Sequence, residues 1–351
     1  MKKSYLMIAA AVALFTACTE NDTFKDVDVQ DSPITFDQAL YKTTRAYIAD
    51  KTALATENGF IVYGYKKKTT DADWADAQTI FNNVNVKSTD NGTSWAYDNL
   101  RFWDKNGIYN FFAIAPYSPS AGTYSLVDGS APTALKFKIT GATSAISTAS
   151  DDYLIDRDGA LNVPGSYTGT HEKVNIDFHH IMAKVDFKLK STLTSGTITV
   201  RSLKMTGWNS GAGTFTQTLT ATPSTLVNTE WAIPSAGTGN ITLVGTGASQ
   251  STVALTCSTS ATATDVTDWY IMVPQNIAAS TLKFTIDYTY SDGNGYSETF
   301  DNQEATLTDP QIWGTDSHIT YTLDIKPQAI EFNVTTICGF EVVGGEDIEV
   351  K

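Results

Sequence analysis

Basic residues are scarce in this sequence. Lys and Arg together number 24 against 38 Asp and Glu, so the 351-residue chain has a formal net charge of −14. A nucleic-acid-binding protein needs a basic surface that neutralises phosphates, so this balance argues against nucleic acid as a partner. It says nothing against proteins or glycans. Apolar residues make up 42% of the chain, which is enough to bury real cores and excludes a disordered composition.

Residues that build catalytic and metal sites are also few. The chain has three cysteines and four histidines. Cys257 and Cys338 lack metal-ligand spacing and are interpreted as separate, partly buried thiols, although a disulfide between them stays open. His179 and His180 are adjacent, and neighbours in a strand point to opposite faces, so a shared metal is not expected. No Gly-x-Ser-x-Gly elbow or phosphate-binding loop occurs. We therefore predict no enzyme, no cofactor and no metal site.

The sequence lacks any apolar run of the ~20 residues that a transmembrane helix needs. The shorter run "YLMIAAAVALFTA" follows Lys2 and Lys3 and predicts a signal peptide over residues 1–17. Cys18 comes directly after a small residue, as in the lipoprotein box of bacteria, so we expect it to be lipidated. Two or more acyl chains would hold the exported protein firmly to a membrane. The alternative is an ordinary signal peptide that contains a cysteine.

Short alternating segments dominate the rest of the chain. Strand-like runs recur about every 8–12 residues and are separated by turns that contain Gly, Asn or Pro. This spacing is typical of β-sandwiches. The sequence predicts an all-β protein with little helix, at most one or two turns within residues 70–83. The stretch 173–191 is either two strands or one long bulged strand. We expect two sandwich domains, residues 46–190 and 191–351, after a polar tether and short strand within residues 18–45.

Several stretches resemble one family when they are taken in order. They are "FWDKNGIYNFFAIAPYS", "DDYLID", "VNIDFHHIMAKVDFKLK" with Phe178, His180 and Lys184, "YIMVPQ", and "LTDPQIWGTDSHITYTLDIKPQAIEF". Together they resemble the fimbrillin family, the pilins of Bacteroidales. The resemblance implies two transthyretin-like β-sandwich domains in tandem and export to the outer membrane as a lipoprotein. It also implies cleavage after an arginine by a trypsin-like, arginine-specific surface protease. Arg45 would be the cut site and Ala46 the new first residue; the alternative is an ordinary surface arginine.

The short strand before Arg45 gives this cleavage a physical meaning. In "ITFDQALYK", the residues Ile34, Phe36 and Leu40 would fill the edge of the first sandwich, and each buried side chain contributes roughly 1.5–3 kcal/mol. A cut at Arg45 makes this propeptide strand dissociable. Its loss opens an apolar groove beside an unpaired strand edge, which a strand from another chain fills by β-augmentation. Because donor and acceptor surfaces differ, such contacts propagate head to tail.

The C-terminal residues offer two candidates for the donated strand. Ile330 and Phe332 repeat the spacing of Ile34 and Phe36. The family pattern instead makes residues 330–334 the last strand and leaves a tail, 337–350, as the donor, which we prefer. The apolar side chains of that tail are Ile337, Phe340, Val342 and Val343.

The predicted function is a structural subunit of a cell-surface pilus that supports adhesion. It would be lipid-anchored at the outer membrane through Cys18, and then polymerise with copies of itself or related pilins in an extracellular fimbrium. The alternative is a monomeric outer-membrane lipoprotein that binds glycans or host proteins. Exposed tryptophans would favour that alternative. The candidates are Trp95, Trp103, Trp231, Trp269 and Trp313.

Overall fold

Strands make up nearly all of the regular structure in the computed structural model of the chain. It describes residues 33–40, 48, 50–104, 107–118, 122–127, 132, 134–146, 152–156, 173–220, 230–233, 237–327 and 329–338. The predicted all-β class is confirmed, since one short helix, α1 (Lys51–Thr56), accompanies 23 strands across those residues. No helix in this part of the chain is long and apolar enough to cross a membrane.

The strands form four sheets and one short pair. The first sheet has the spatial order β1 (Phe36–Leu40), β9 (Val174–His180), β8 (Leu154–Asp156), β4 (Gly107–Ala115), β2 (Phe60–Lys68) and β3 (Gln78–Val86). The second has β23 (Ala329–Cys338), β22 (Ser317–Lys326), β10 (Ala183–Lys190), β17 (Tyr270–Met272) and β7 (Ala145–Ile146), with β16 (Thr264–Asp265) also paired to β10. The third has β14 (Thr238–Val244), β11 (Thr197–Asn209), β19 (Lys283–Ser291) and β20 (Ser297–Thr306), with β15 (Val253–Thr256) also paired to β11. The fourth has β13 (Trp231–Ala232), β12 (Gly213–Thr220), β6 (Ala134–Ala142) and β5 (Thr123–Leu126), and β18 (Gln275–Ile277) pairs with β21 (Gln311–Trp313).

The central strands of the first sheet, β2 and β4, are largely buried on both faces. Along β2, Phe60 and Val62 belong to one hydrophobic cluster, whereas Ile61 and Tyr63 belong to another. Side chains alternate between the faces of a strand, so a strand covered on both sides reads as a continuous apolar run, here "FIVY". The first of these clusters also contains Phe36 of β1 and Ile34 just before it.

The second and third sheets enclose a separate core. Their buried residues form one cluster that includes Phe187 of β10, Tyr321 of β22 and Phe284 of β19. The rings of Phe187 and Tyr321 stack with centroids 5.8 Å apart, and Phe284 lies 5.7 Å from Tyr321. In the third sheet, β19 and β20 form a hairpin at "TYSDGNGYSETF", where Ser291 pairs with Ser297.

The stretch 173–191 forms two strands that belong to different sheets. β9 pairs in the first sheet and β10 in the second, and the two residues between them, Ile181 and Met182, are buried. Of the two interpretations of this stretch, the two-strand one is therefore correct. The domain limits 46–190 and 191–351 stay a prediction.

The helix lies elsewhere than expected. Residues 70–77 form turns, and β3 begins at Gln78 because Phe81 is needed in the core, where it is fully buried. The observed helix α1 begins after Asp50, whose carboxylate accepts a hydrogen bond of 2.9 Å from the N–H of Ala53. An N-cap of this kind stabilises even a short helix, since it satisfies a free backbone donor.

Replacement of Gly207 by alanine tests the close packing of the third sheet. Gly207 lies in β11 at φ +108°, and a Cβ atom there would lie 2.0 Å from the carbonyl oxygen of Thr281. We expect Gly207→Ala to lower the free energy of unfolding by about 2–4 kcal/mol. The control, Gly293→Ala, has φ +78° at a hairpin tip with no atom within 4 Å, and should cost about 1 kcal/mol. Urea denaturation measures both, and equal losses would contradict the packing argument.

Candidate functional site: the leader segment and its groove

The leader segment, residues 33–40, forms the edge of the first sheet. Its strand β1 pairs in parallel with β9, from Phe36 opposite Val174 to Leu40 opposite Phe178. The side chains of Ile34 and Phe36 are fully buried, at 0% and 1% exposure. Parallel strands have no tight turn between them, and the partner of β1 lies far along the chain. The leader segment is therefore held by side-chain burial and strand pairing with residues remote in sequence.

Phe36 inserts into a pocket of four aromatic rings. We call this the aromatic pocket; its members are Phe60, Phe81, Tyr97 and Phe111. The Phe36 ring meets them edge to face, with centroid distances of 6.4, 5.3, 5.7 and 5.8 Å respectively. Edge-to-face pairs add about 0.5–1.5 kcal/mol each beyond the burial of area. Phe36 is thus the main anchor of the leader segment.

The residues before β1 are held on their other side by the segment 97–102. The backbone N–H of Ile34 donates to the carbonyl of Arg101 at 2.8 Å, and the Tyr97 hydroxyl donates to the carbonyl of Ile34 at 2.8 Å. Pro33 forms an isolated bridge with Phe102. Phe102 therefore contacts the leader segment. Removal of residues 33–40 would leave backbone groups unpaired on both walls of the groove.

Two lysines lie over the outward side of β1. Asp37 follows Phe36, so its side chain points away from the pocket. The Lys51 Nζ atom at the start of α1 lies 3.0 Å from Asp37 Oδ1, and the Lys173 Nζ atom just before β9 lies 3.9 Å from Asp37 Oδ2. We call Lys51 and Lys173 the lysine pair. Sequence reasoning did not single out any of these three residues.

The chain is fixed again just after the leader segment. The buried Ile48 N–H donates to Asp152 Oδ2 at 3.1 Å, and Asp152 Oδ1 lies 2.6 Å from His180 Nδ1. Asp152 is fully buried and His180 is 4% exposed. We call these three residues the buried anchor. Burial by itself lowers the pKa of His180, but the charge of Asp152 and their hydrogen bond, with help from Asp316, raise it overall.

The predicted processing and donor residues fall mostly outside the described residues. Ile34 and Phe36 are buried as stated, and Leu40 lies in β1. Ile337 lies within β23, where it pairs with His318, so the last strand is longer than the predicted 330–334. The predicted residues that lie outside the described part of the chain are Cys18, Arg45, Ala46, Phe340, Val342 and Val343. Their roles stay predictions.

Other candidate chemistry is not brought together in the described part of the chain. No cluster of three or more His, Cys, Asp or Glu residues there would hold a metal ion. Cys257 is a buried free cysteine. Trp269 is half-buried, with Lys184 over its ring at 4.6 Å. The other tryptophan candidates belong to the core; they are Trp95, Trp103, Trp231 and Trp313.

Comparison with known proteins identifies relatives of this fold. A family model described as fimbrillin-like matches residues 44–338, which leaves the leader segment outside the match. No curated protein matches the chain.

Several solved structures are similar to this chain at low sequence identity. A proposed cell adhesion protein from Bacteroides uniformis is 16% identical over 88% of this chain and 99% of its own, with a TM-score of 0.45. One from Bacteroides ovatus is 15% identical over 87% and 96%, with a TM-score of 0.41. A fimbrial assembly protein from Parabacteroides distasonis is 12% identical over 87% and 96%, with a TM-score of 0.36.

Truncation of Phe36 tests whether the leader segment is part of the core. Phe36→Ala empties the aromatic pocket, and we expect the uncut protein to lose about 3–5 kcal/mol of unfolding free energy in urea. The control is Thr35→Ala, at the neighbouring half-buried position, which should cost less than about 1 kcal/mol. An unchanged transition for Phe36→Ala would show that the pocket does not depend on this ring.

The buried anchor predicts a pH dependence of stability. Since the pKa of His180 is raised on folding, its stabilising contribution is present below the usual value of about 6.5 and is lost as pH rises through the raised pKa. Asp152→Asn removes the charge that raises this pKa, so its melting temperature should fall less between pH 6 and 9. Asp50→Asn, an exposed carboxylate-to-amide control, should keep the wild-type profile. Equal profiles for Asp152→Asn and wild type would contradict this reasoning.

Proposed function

The chain belongs to the fimbrillin-like family, since the family model covers most of it, and on that premise we propose that it is a structural subunit of a cell-surface pilus. The proposal has three steps. The protein is exported as a lipoprotein anchored through Cys18 at the outer membrane. An arginine-specific surface protease cuts after Arg45, so that the mature chain begins at Ala46. A strand from another copy or a related pilin then replaces the leader segment, and the polymer supports adhesion.

The observation that carries the proposal is the position of the leader segment. It is an edge strand whose anchors, Ile34 and Phe36, lie fully inside the core of the first sheet. Once the chain is cut, the leader segment is retained by non-covalent contacts, chiefly strand pairing and burial. A groove that is completed by a removable strand is also complementary to an incoming strand with similar side chains. An edge strand of this kind is expected in a subunit that polymerises by strand exchange. A monomeric glycan-binding protein has no evident need for it.

The location of the proposed cut agrees with this arrangement. Residues 41–47 connect Leu40 of β1 to Ile48 of the buried anchor, so a cut at Arg45 separates the leader segment from the rest of the fold. Two other arginines are held by the fold. The Arg101 guanidinium lies 4.7 Å from the Phe81 ring centroid, and Arg201 lies in β11 and pairs with Asp301.

The donor in this proposal is the C-terminal tail of a neighbouring subunit. The candidate donor residues are Phe340, Val342 and Val343, which follow β23; Ile337, also predicted as a donor residue, pairs with His318 in β23. Because the groove lies in the first sheet and the tail follows β23 in the second, donor and acceptor surfaces differ, and the contact extends head to tail. This makes copies of the same chain, or related pilins, the expected partners. No catalytic role is proposed.

Cleavage at Arg45 is tested by polymerisation after protease treatment. Wild-type protein incubated with an arginine-specific protease should acquire Ala46 as its first residue and form an SDS-resistant ladder. Arg45→Lys keeps the positive charge but removes the specific site, so it should stay monomeric under the same treatment. Arg157→Lys is the matched control and should behave like wild type. Fully cleaved wild-type protein that remains monomeric would refute the proposal.

A further inference from the structure

The lysine pair would lose its carboxylate partner when the leader segment leaves. Lys51 and Lys173 both lie C-terminal to Arg45 and remain with the folded body, whereas Asp37 leaves with β1. We propose that Lys51 and Lys173 select the incoming strand by binding an acidic residue that directly follows its aromatic anchor. This rests on the strand exchange proposed above. In a second copy of this chain, the acidic residue is Glu341, which follows Phe340.

The geometry of the leader segment defines what the groove recognises. Phe36 points into the aromatic pocket, and the next residue must then point outward, because side chains alternate along a strand. The outward residue lies between a lysine of α1 and a lysine that precedes β9, at 3.0 and 3.9 Å from its two carboxylate oxygens. The recognised pattern is therefore an aromatic residue followed at once by an acid.

The C-terminal tail contains this pattern once. After Cys338 the sequence reads "GFEVVGGEDIEVK", with Phe340 as its aromatic residue and Glu341 next to it. The other candidate, Phe332, is followed by the uncharged Asn333 and is already paired in β23 with Leu323. Charge complementarity thus favours the tail of a second copy as the occupant of the groove.

The physical effect of these charges is on the rate and selectivity of association. Exposed ion pairs contribute little to stability, and both lysines are about half exposed, at 47% and 51%. Charges at the rim of an interface act mainly on the encounter rate and its salt dependence, and like charges exclude wrong partners. In a chain with a net charge of −14, Lys51 and Lys173 place two positive charges at the groove.

A charge-swap series on the full chain tests the proposal. The tail-reversed chain is Glu341→Lys. The rim-reversed chain carries Lys51→Glu and Lys173→Glu, and also Asp37→Lys, so that its own leader segment is still held by opposite charges. Each is cut with the arginine-specific protease, and elongation is followed by light scattering and gel ladders. At low salt both mismatched chains should elongate about 3- to 30-fold more slowly than wild type.

The chain that combines both reversals should recover most of the wild-type rate. The differences should shrink at about 1 M salt, where charges beyond roughly 3 Å are screened. Glu349→Lys makes the same charge change elsewhere in the tail and should stay within about twofold of wild type. Melting temperatures of the uncut chains check that each variant folds. If the rim-reversed chain does not fold, the comparison of Glu341→Lys with Glu349→Lys decides the question.

The outcomes separate this inference from the proposed function. If cut wild-type protein does not polymerise, strand exchange itself fails. If it polymerises but Glu341→Lys elongates at the wild-type rate, or the combined chain shows no recovery, charge selection by Lys51 and Lys173 is wrong and strand exchange stands. Recovery by Glu349→Lys in the rim-reversed chain would overturn the choice of Glu341.

Discussion

The insertion of Phe36 into its aromatic pocket is the contact on which the rest of the arrangement depends. It joins the edge of the first sheet to rings from β2, β3 and β4 and to Tyr97. Without an aromatic side chain at this point, four large rings would face an empty space at the sheet edge, and cavities in cores are costly. The pocket must therefore be filled, but nothing in its chemistry requires that the filling residue belong to the same chain.

Two fixed points lie on either side of the proposed cleavage site. The leader segment is held by burial and strand pairing, and Ile48 is held by a hydrogen bond to a fully buried carboxylate that is itself paired with His180. A buried, charge-assisted contact of this kind is stronger than an exposed one. In the proposed mature chain, the first residues would thus be tied to the fold near the place where the connection is broken. Loss of the leader segment need not loosen the body that remains.

The sequence was sufficient for the parts of this picture that depend on local patterns. The alternation in "ITFDQALYK" identified Ile34 and Phe36 as buried edge residues. The division of residues 173–191 into two strands, separated at residues 181–182, was one of the two predicted alternatives. The lysine pair and Asp152 were missed because their importance lies in partners remote in sequence, such as Lys173 with Asp37 and Asp152 with Ile48. The position of the helix was missed because a six-residue element depends on one cap, Asp50, rather than on a periodic pattern.

The parallel pairing of β1 with β9 also affects how the protein first folds. Residues 36–40 are made early, whereas their partners at 174–178 come much later, and contacts between such distant parts of a chain form slowly. The leader segment therefore cannot complete its pairing until β9 has been made. Until it does, the aromatic pocket is open to any apolar strand nearby, including one from another nascent subunit. Premature association during biogenesis is thus a hazard inherent in the topology until the chain captures its own first strand.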